Sequence, residues 1–378
     1  MTKRLMIPGP VPVLDSVSAA LAAPIQAHYG PEWVSIYNET LQMLSQVFGT
    51  KGQVFCLVGS GTAGIDAALG SVLSPGDRVV VAVGGWHSDR MVTMARAHGA
   101  IPTEVNVSWG EPVKPEAIES AVSQGPAPAA VLMTHVETTT GVLNPVSEIG
   151  RMLRESKTLL IVDAVASLGG VEFAMDEWGV DICCSATQKC LGGSAGLAPV
   201  AVSPRAWEAM DRRADSPRSF YLDLKLWREF ACEPEWASWH PFPVTMPTTL
   251  VLALRAALQA LTAEGISNRA AYYWQLGKRL RTGLTELGMP PLVPEPYAAP
   301  VVTTACSPAG IPADDIVAFL EKEHSIKISP AFGPLANQVF RVGHMAPVIT
   351  VQDIDDTLAA LADYMERRAP EVKEGGSQ

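Results

Sequence analysis

From residue 53 onward, short and almost unbroken apolar runs alternate with longer segments whose apolar residues recur every three to four positions. The runs 54–58, 78–83, 129–134, 158–162 and 181–185 are strand-length and lack polar alternation, which predicts strands buried on both faces. A loop of small or hydroxyl residues and then, in most cases, a helical stretch follows each run. That rhythm predicts a mainly parallel α/β sheet covered by helices. Upstream, Val34, Tyr37, Leu41, Leu44 and Phe48 form one stripe of a helix opened by Pro31. Before it, Pro8, Pro10 and Pro12 rule out a regular helix and predict an extended arm, with a short helix from Asp15.

After a Pro-rich stretch at 240–247, the pattern predicts a helix over 250–264 and a long amphipathic helix over 268–287 that stops at Pro290 and Pro291. Beyond it come a strand (299–305), a helix (314–323), strands at 326–329 and 339–343, and a helix (350–367). At 378 residues the chain exceeds what one core usually serves. The expected division is an arm (1–20), a large domain (21–265), a smaller C-terminal α+β domain (266–368) joined through the 268–287 helix, and a polar, mobile tail (369–378).

Ligands of open α/β sheets bind beyond the carboxyl ends of the strands. Ser60, Trp86, Thr138, Asp163 and Lys189 each lie just past a predicted strand, several of them about 25 residues apart, roughly one βα unit. All five are therefore expected to converge on one crevice.

Composition narrows the choice of ligand. A formal charge of −11 argues against nucleic acid or an anionic membrane as partner. No apolar run approaches the roughly 20 residues of a membrane span, and the N-terminus lacks a signal-peptide core. Six cysteines without a C-x-x-C pair suggest reduced thiols in a cytoplasmic protein and no structural metal.

The individual residues admit two readings each. Lys189 ends an apolar strand and is followed by Gly192, Gly193, Ser194, Ala195 and Gly196, which leave room for a bulky group. It suits an amine kept partly neutral to attack a carbonyl, or a lysine capping a strand at the surface. Gly59-Ser60-Gly61-Thr62 at a helix start suits a phosphate, or a simple N-cap and tight turn. Asp163 suits a protonated ring nitrogen, or a structural salt bridge. Trp86 suits stacking on a flat ring, or ordinary core. Gln188 suits a phosphate or phenolic oxygen, or plain solvation. Arg341, interrupting an apolar strand, suits a carboxylate, or an edge-strand surface.

In combination they outline a pyridoxal-phosphate site. The segments 135–145 (HVETTTGVLNP), 162–170 (VDAVASLGG), 187–191 (TQKCL), 220–224 (FYLDL) and 341–345 (RVGHM) resemble the class V aminotransferases, nearest the alanine–glyoxylate and serine–glyoxylate group. The resemblance spans residue 8 to about 364. It implies the type I aminotransferase fold and a homodimer with active sites at the subunit interface. It also implies transfer of an amino group from alanine or serine to glyoxylate or pyruvate. Lys189 would be the Schiff-base lysine, Asp163 the pyridinium partner, Trp86 the stacking ring and Thr138 the phenolic-oxygen partner. Ser60, Gly61, Thr62 and Gln188 would serve the phosphate, and Thr245 would reach the neighbouring subunit's site. Arg341 would hold the α-carboxylate, with Gly9 and Tyr29 on the substrate side.

Two departures bear on specificity: His28-Tyr29 where many glyoxylate enzymes carry His-Arg, and Phe242 where relatives often place a tyrosine. Pyridoxamine–pyruvate aminotransferases share the 341–345 segment, and a ureidoglycine donor is a further alternative. Cysteine desulfurases of the same superfamily usually stack a histidine on the ring and need a mobile catalytic cysteine, so Trp86 points away from them.

Overall fold

In the computed structural model, residues 3–213 and 219–368 are described; the expected tail at 369–378 lies outside them. A seven-stranded sheet forms the centre. Its strands in chain order are β1 (Gln53–Val58), β2 (Arg78–Val83), β3 (Ile101–Asn106), β4 (Ala130–Thr134), β5 (Leu159–Asp163), β6 (Ile182–Cys184) and β7 (Leu197–Val202). They lie side by side as β1-β7-β6-β5-β4-β2-β3. Every pair is parallel except those made by β7, which runs antiparallel to both β1 and β6. The class is α/β with a mainly parallel sheet, as the apolar runs predict. All five residues of β4 and of β5 are buried, which is why their sequences show no alternation.

Two strands escape the sequence pattern. β3 is an edge strand whose residues are all partly or fully exposed, so it carries no apolar run. β7 contains Pro199, a residue that speaks against an interior strand because it lacks an N–H.

Most of the smaller sheet comes from the C-terminal third. There β8 (Val302–Cys306), β9 (Ser329–Pro330) and β10 (Val339–Gly343) pair antiparallel in the order β8-β10-β9. The expected strand at 326–329 is split. Ile326–Lys327 pairs instead with the N-terminal Arg4–Leu5, in parallel. The arm thereby runs along the small sheet, where Gly343 donates to the Met6 carbonyl at 2.9 Å. It then passes the Lys189 loop, where Val11 donates to the Gln188 carbonyl at 3.0 Å.

Buried apolar residues gather mainly into two cores. One lines both faces of the large sheet; the other joins the small sheet to Tyr273, Leu276, Leu280 and Leu284 of the helix Ile266–Glu286, and takes in Met6 and Val11 of the arm. Among the described residues no single helix is long and apolar enough to cross a membrane.

Candidate active site

The carboxyl ends of β1, β4, β5 and β6 feed one cavity of about 150 Å³. Ser60, Gly61, Thr62, Thr138, Asp163, Gln188 and Lys189 all line it. Helix α1 (Gly61–Val72) begins in this wall, so its first N–H groups, which have no intrahelical acceptor, open toward the cavity at the positive end of the helix dipole. A side chain at position 61 would stand 2.4 Å from Val165 Cγ2; the cup therefore needs glycine there.

Of the two aromatics after Gly85, His87 lines the cavity, whereas Trp86 is 49% exposed and, among the described residues, has its one aromatic-ring contact with Phe332, 6.1 Å away between centroids. Helix α2 (Trp86–Ala97) starts at Trp86 and turns His87 toward the cavity. Glu137 fixes that start. Its carboxylate accepts from the Ser88 N–H and Oγ, both at 3.0 Å, and from the Thr139 N–H at 3.1 Å. Burial holds the His87 imidazole down to about 4, so it is neutral at physiological pH.

Asp163 sits at the end of β5, buried, with the Val165 N–H donating to Oδ1 at 2.8 Å. Burial raises its carboxyl to about 6. One N–H is too few for a buried carboxylate, so the site calls for a further donor or cation. Burial likewise lowers Lys189 to about 8, leaving a substantial free-amine fraction at neutral pH. Its Nζ donates to the Pro8 carbonyl of the arm, and Gly9 packs so closely that a Cβ there would lie 2.5 Å from Lys189 Cδ. Gly9 is thus beside the lysine.

Arg341, on β10, is joined to the cavity wall through Nη1, which donates to the Thr138 carbonyl at 3.3 Å. Nε and Nη2 donate to the Pro330 carbonyl at 3.0 and 2.8 Å. Among the described residues it makes no ion pair, and burial lowers it to about 10, so it stays a cation. Three of its five N–H groups are spent on carbonyls, leaving the two that bidentate capture of a carboxylate requires.

Tyr29 and Thr245 lie elsewhere. Tyr29 is 48% exposed and stacks on Trp239 at 5.5 Å; Thr245 is exposed, just past the buried Phe242. Sequence reasoning missed three residues: His87, Glu137 and the cavity-lining Arg90, whose buried Nε has no hydrogen-bond partner among the described residues. Glu137 lay within the quoted 135–145 segment, and Arg90 reads in sequence as a solvent-facing helix cation.

An open sheet with an amine, a buried acid and an anion cup at its strand ends defines an enzyme of the α/β aminotransferase class. Residues 17–342 match the family described as Aminotransferase class-V, and the chain belongs to that family. It is 32% identical over 369 residues to an alanine–glyoxylate aminotransferase of Drosophila melanogaster, covering 97% of this chain and 93% of the relative. Its fold matches a solved ureidoglycine–glyoxylate aminotransferase of Bacillus subtilis with a TM-score of 0.92, 30% identity, and coverage of 99% and 96%. It matches a pyridoxamine–pyruvate aminotransferase of Mesorhizobium loti with a TM-score of 0.90, 25% identity, and coverage of 97% and 93%. The chain is an aminotransferase, acting on an amino donor and a 2-oxo acid.

Proposed function

We propose that this aminotransferase depends on pyridoxal phosphate tethered at Lys189 and moves the amino group of a small donor, alanine or serine, to glyoxylate or pyruvate. The observation that carries the reading is the single cavity bringing Ser60, Gly61, Thr62, Asp163, Gln188 and Lys189 together. The residues present fit the cofactor. The α1 start and the glycine at 61 suit a phosphate, and Gln188 Oε1 is a buried polar atom without a partner among the described residues. An amide flip would turn that position into a donor.

When bound, the cofactor supplies a reactive aldehyde and a cationic ring that draws electrons from the donor's Cα. The chain's residues do the rest. Asp163 would hold the ring N–H, and that partner would bring the Asp163 carboxyl back toward its ionised form. His87, neutral and on the cavity wall, would offer a flat face to the ring, and Thr138 would bond its phenolic oxygen. Arg341 would hold the α-carboxylate of donor and acceptor alike; Tyr29, outside this subunit's cavity, would reach the substrate side only across the subunit interface. Lys189 Nζ, as the free amine, would take the proton from the donor's Cα and return it two atoms away, on the far side of the intervening nitrogen.

The same reading includes a homodimer in a cytoplasmic setting. Tyr29 and Trp239, at 48% and 51% exposure, stack on each other, and the Met246 N–H, one residue past Thr245, donates to His28 Nδ1 at 3.4 Å; a second copy covering this exposed pair would carry Thr245 to the partner's phosphate. A histidine stacking at position 87 would remove one argument against a cysteine desulfurase. The other stands: no cysteine lines the cavity, and Cys190 Sγ is turned to the Ala166 carbonyl with its thiol pushed up to about 12.

The test is a panel of alanine, serine, ureidoglycine, pyridoxamine and cysteine against glyoxylate and pyruvate, run on wild type and Lys189→Ala. Alanine or serine turnover that disappears in the variant, together with the bound cofactor's visible absorbance, is the expected result. Sulfide release from cysteine, or a variant that still cycles, overturns the reading.

A further inference from the structure

Among the described residues Arg341 is a buried cation with no ion pair, and one short segment does most of the holding. Pro330, at the end of β9, accepts two of its N–H groups, and two residues later the Phe332 ring lies over the guanidinium, 4.5 Å from Cζ to centroid. Phe332 is 41% exposed and tilts against Trp86 at 51°. Two half-exposed aromatic rings at the rim of a polar site call for a reason beyond core packing. A ring on a guanidinium face attracts the cation and confines its donors to one plane.

We propose that Phe332, backed by Trp86, is a positioning residue of the carboxylate site: it clamps the Arg341 guanidinium so that its two unspent N–H groups remain aimed for bidentate capture. The proposal rests on the reading of Arg341 as the carboxylate-binding residue. Donor and acceptor share the α-carboxylate, so the clamp acts equally on both halves of the reaction. It does not read the donor's side chain.

The test uses the cofactor-loaded enzyme and an unreactive carboxylate, propionate, whose dissociation constant is measured by calorimetry beside steady-state kinetics. Phe332→Tyr keeps the ring and binds propionate within about twofold of wild type. Phe332→Leu keeps most of the volume without the π face. It weakens propionate and raises KM for donor and acceptor by the same factor, about 3- to 30-fold, with a smaller change in kcat. In an Arg341→Lys background, which lacks a planar cation, the Leu substitution adds nothing. Wild-type propionate affinity in Phe332→Leu, alongside a loss in Arg341→Lys, overturns the clamp and leaves the Arg341 reading intact. Unaltered affinity in Arg341→Lys overturns that underlying reading instead. Unequal KM changes among donors assign Phe332 to the side chain and also overturn the clamp.

Discussion

The Lys189 ammonium donates to the backbone carbonyl of Pro8, a residue 181 positions away in the chain. The contact ties the N-terminal arm to the lysine that ends the β6 loop. A neutral carbonyl satisfies an amine in either protonation state, so it does not oppose the effect of burial, which lowers Lys189 to about 8. At pH 7 about a tenth of Lys189 is the free amine, against a few ten-thousandths of a lysine at 10.5. In cofactor-free enzyme, cyanate should therefore carbamylate Lys189 ahead of exposed lysines. The rate should level off above pH 8 while theirs continues to climb. Peptide mass spectrometry across pH 6–10 checks this; a Lys189 profile still rising at pH 10 defeats it.

Asp163 carries a stability prediction of definite sign. Its folded value, about 6, lies above the 3.8 of an unperturbed aspartate, so the folded state binds more protons between those values. The protonated carboxyl costs nothing below about pH 4, and stability is lost as pH rises toward 6. Asp163→Asn has no proton to lose. In cofactor-free protein it should equal wild type near pH 4 and exceed it above pH 6, by up to about 3 kcal/mol. Urea midpoints at the two pH values measure it. Cofactor should reverse the order, since the ring N–H gives the wild-type carboxylate a partner that the amide replaces poorly.

His87 and Trp86 separate two roles that sequence alone merges. His87→Ala removes a face of the cavity and should weaken cofactor retention about tenfold, whereas Trp86→Ala should leave retention near wild type. Equilibrium dialysis against free cofactor distinguishes them, and the opposite ranking would return the stacking role to Trp86.

That pair marks where sequence reading stops. The strands β4, β5 and β6 are legible because burial on both faces leaves no alternation, and with them the places of Thr138, Asp163 and Lys189. Gly84 and Gly85 announce a turn but fix no helical phase, so the sequence does not say which of Trp86 and His87 lines the cavity. The phase is set by Glu137, which holds the α2 start from 49 residues further along the chain. β7 was hidden by Pro199 and β3 by its exposed edge. Long-range contacts fixed what local pattern left open.

Gly9 tests whether the arm positions the lysine. Its φ of +93° already favours glycine, and a Cβ would stand 2.5 Å from Lys189 Cδ and 2.8 Å from Cε. Gly310 offers a matched control: its φ is +79°, with nothing within 4 Å of a Cβ. Both alanine variants share a backbone cost of about 1–2 kcal/mol, so both should melt somewhat lower. Only Gly9→Ala pushes the Lys189 side chain, and a displacement of about 1 Å at a reacting atom costs on the order of 100-fold in rate. Turnover should therefore fall about 100-fold in Gly9→Ala and stay within about twofold of wild type in Gly310→Ala. Equal turnover in the two variants would mean that Lys189 finds its working position without the arm.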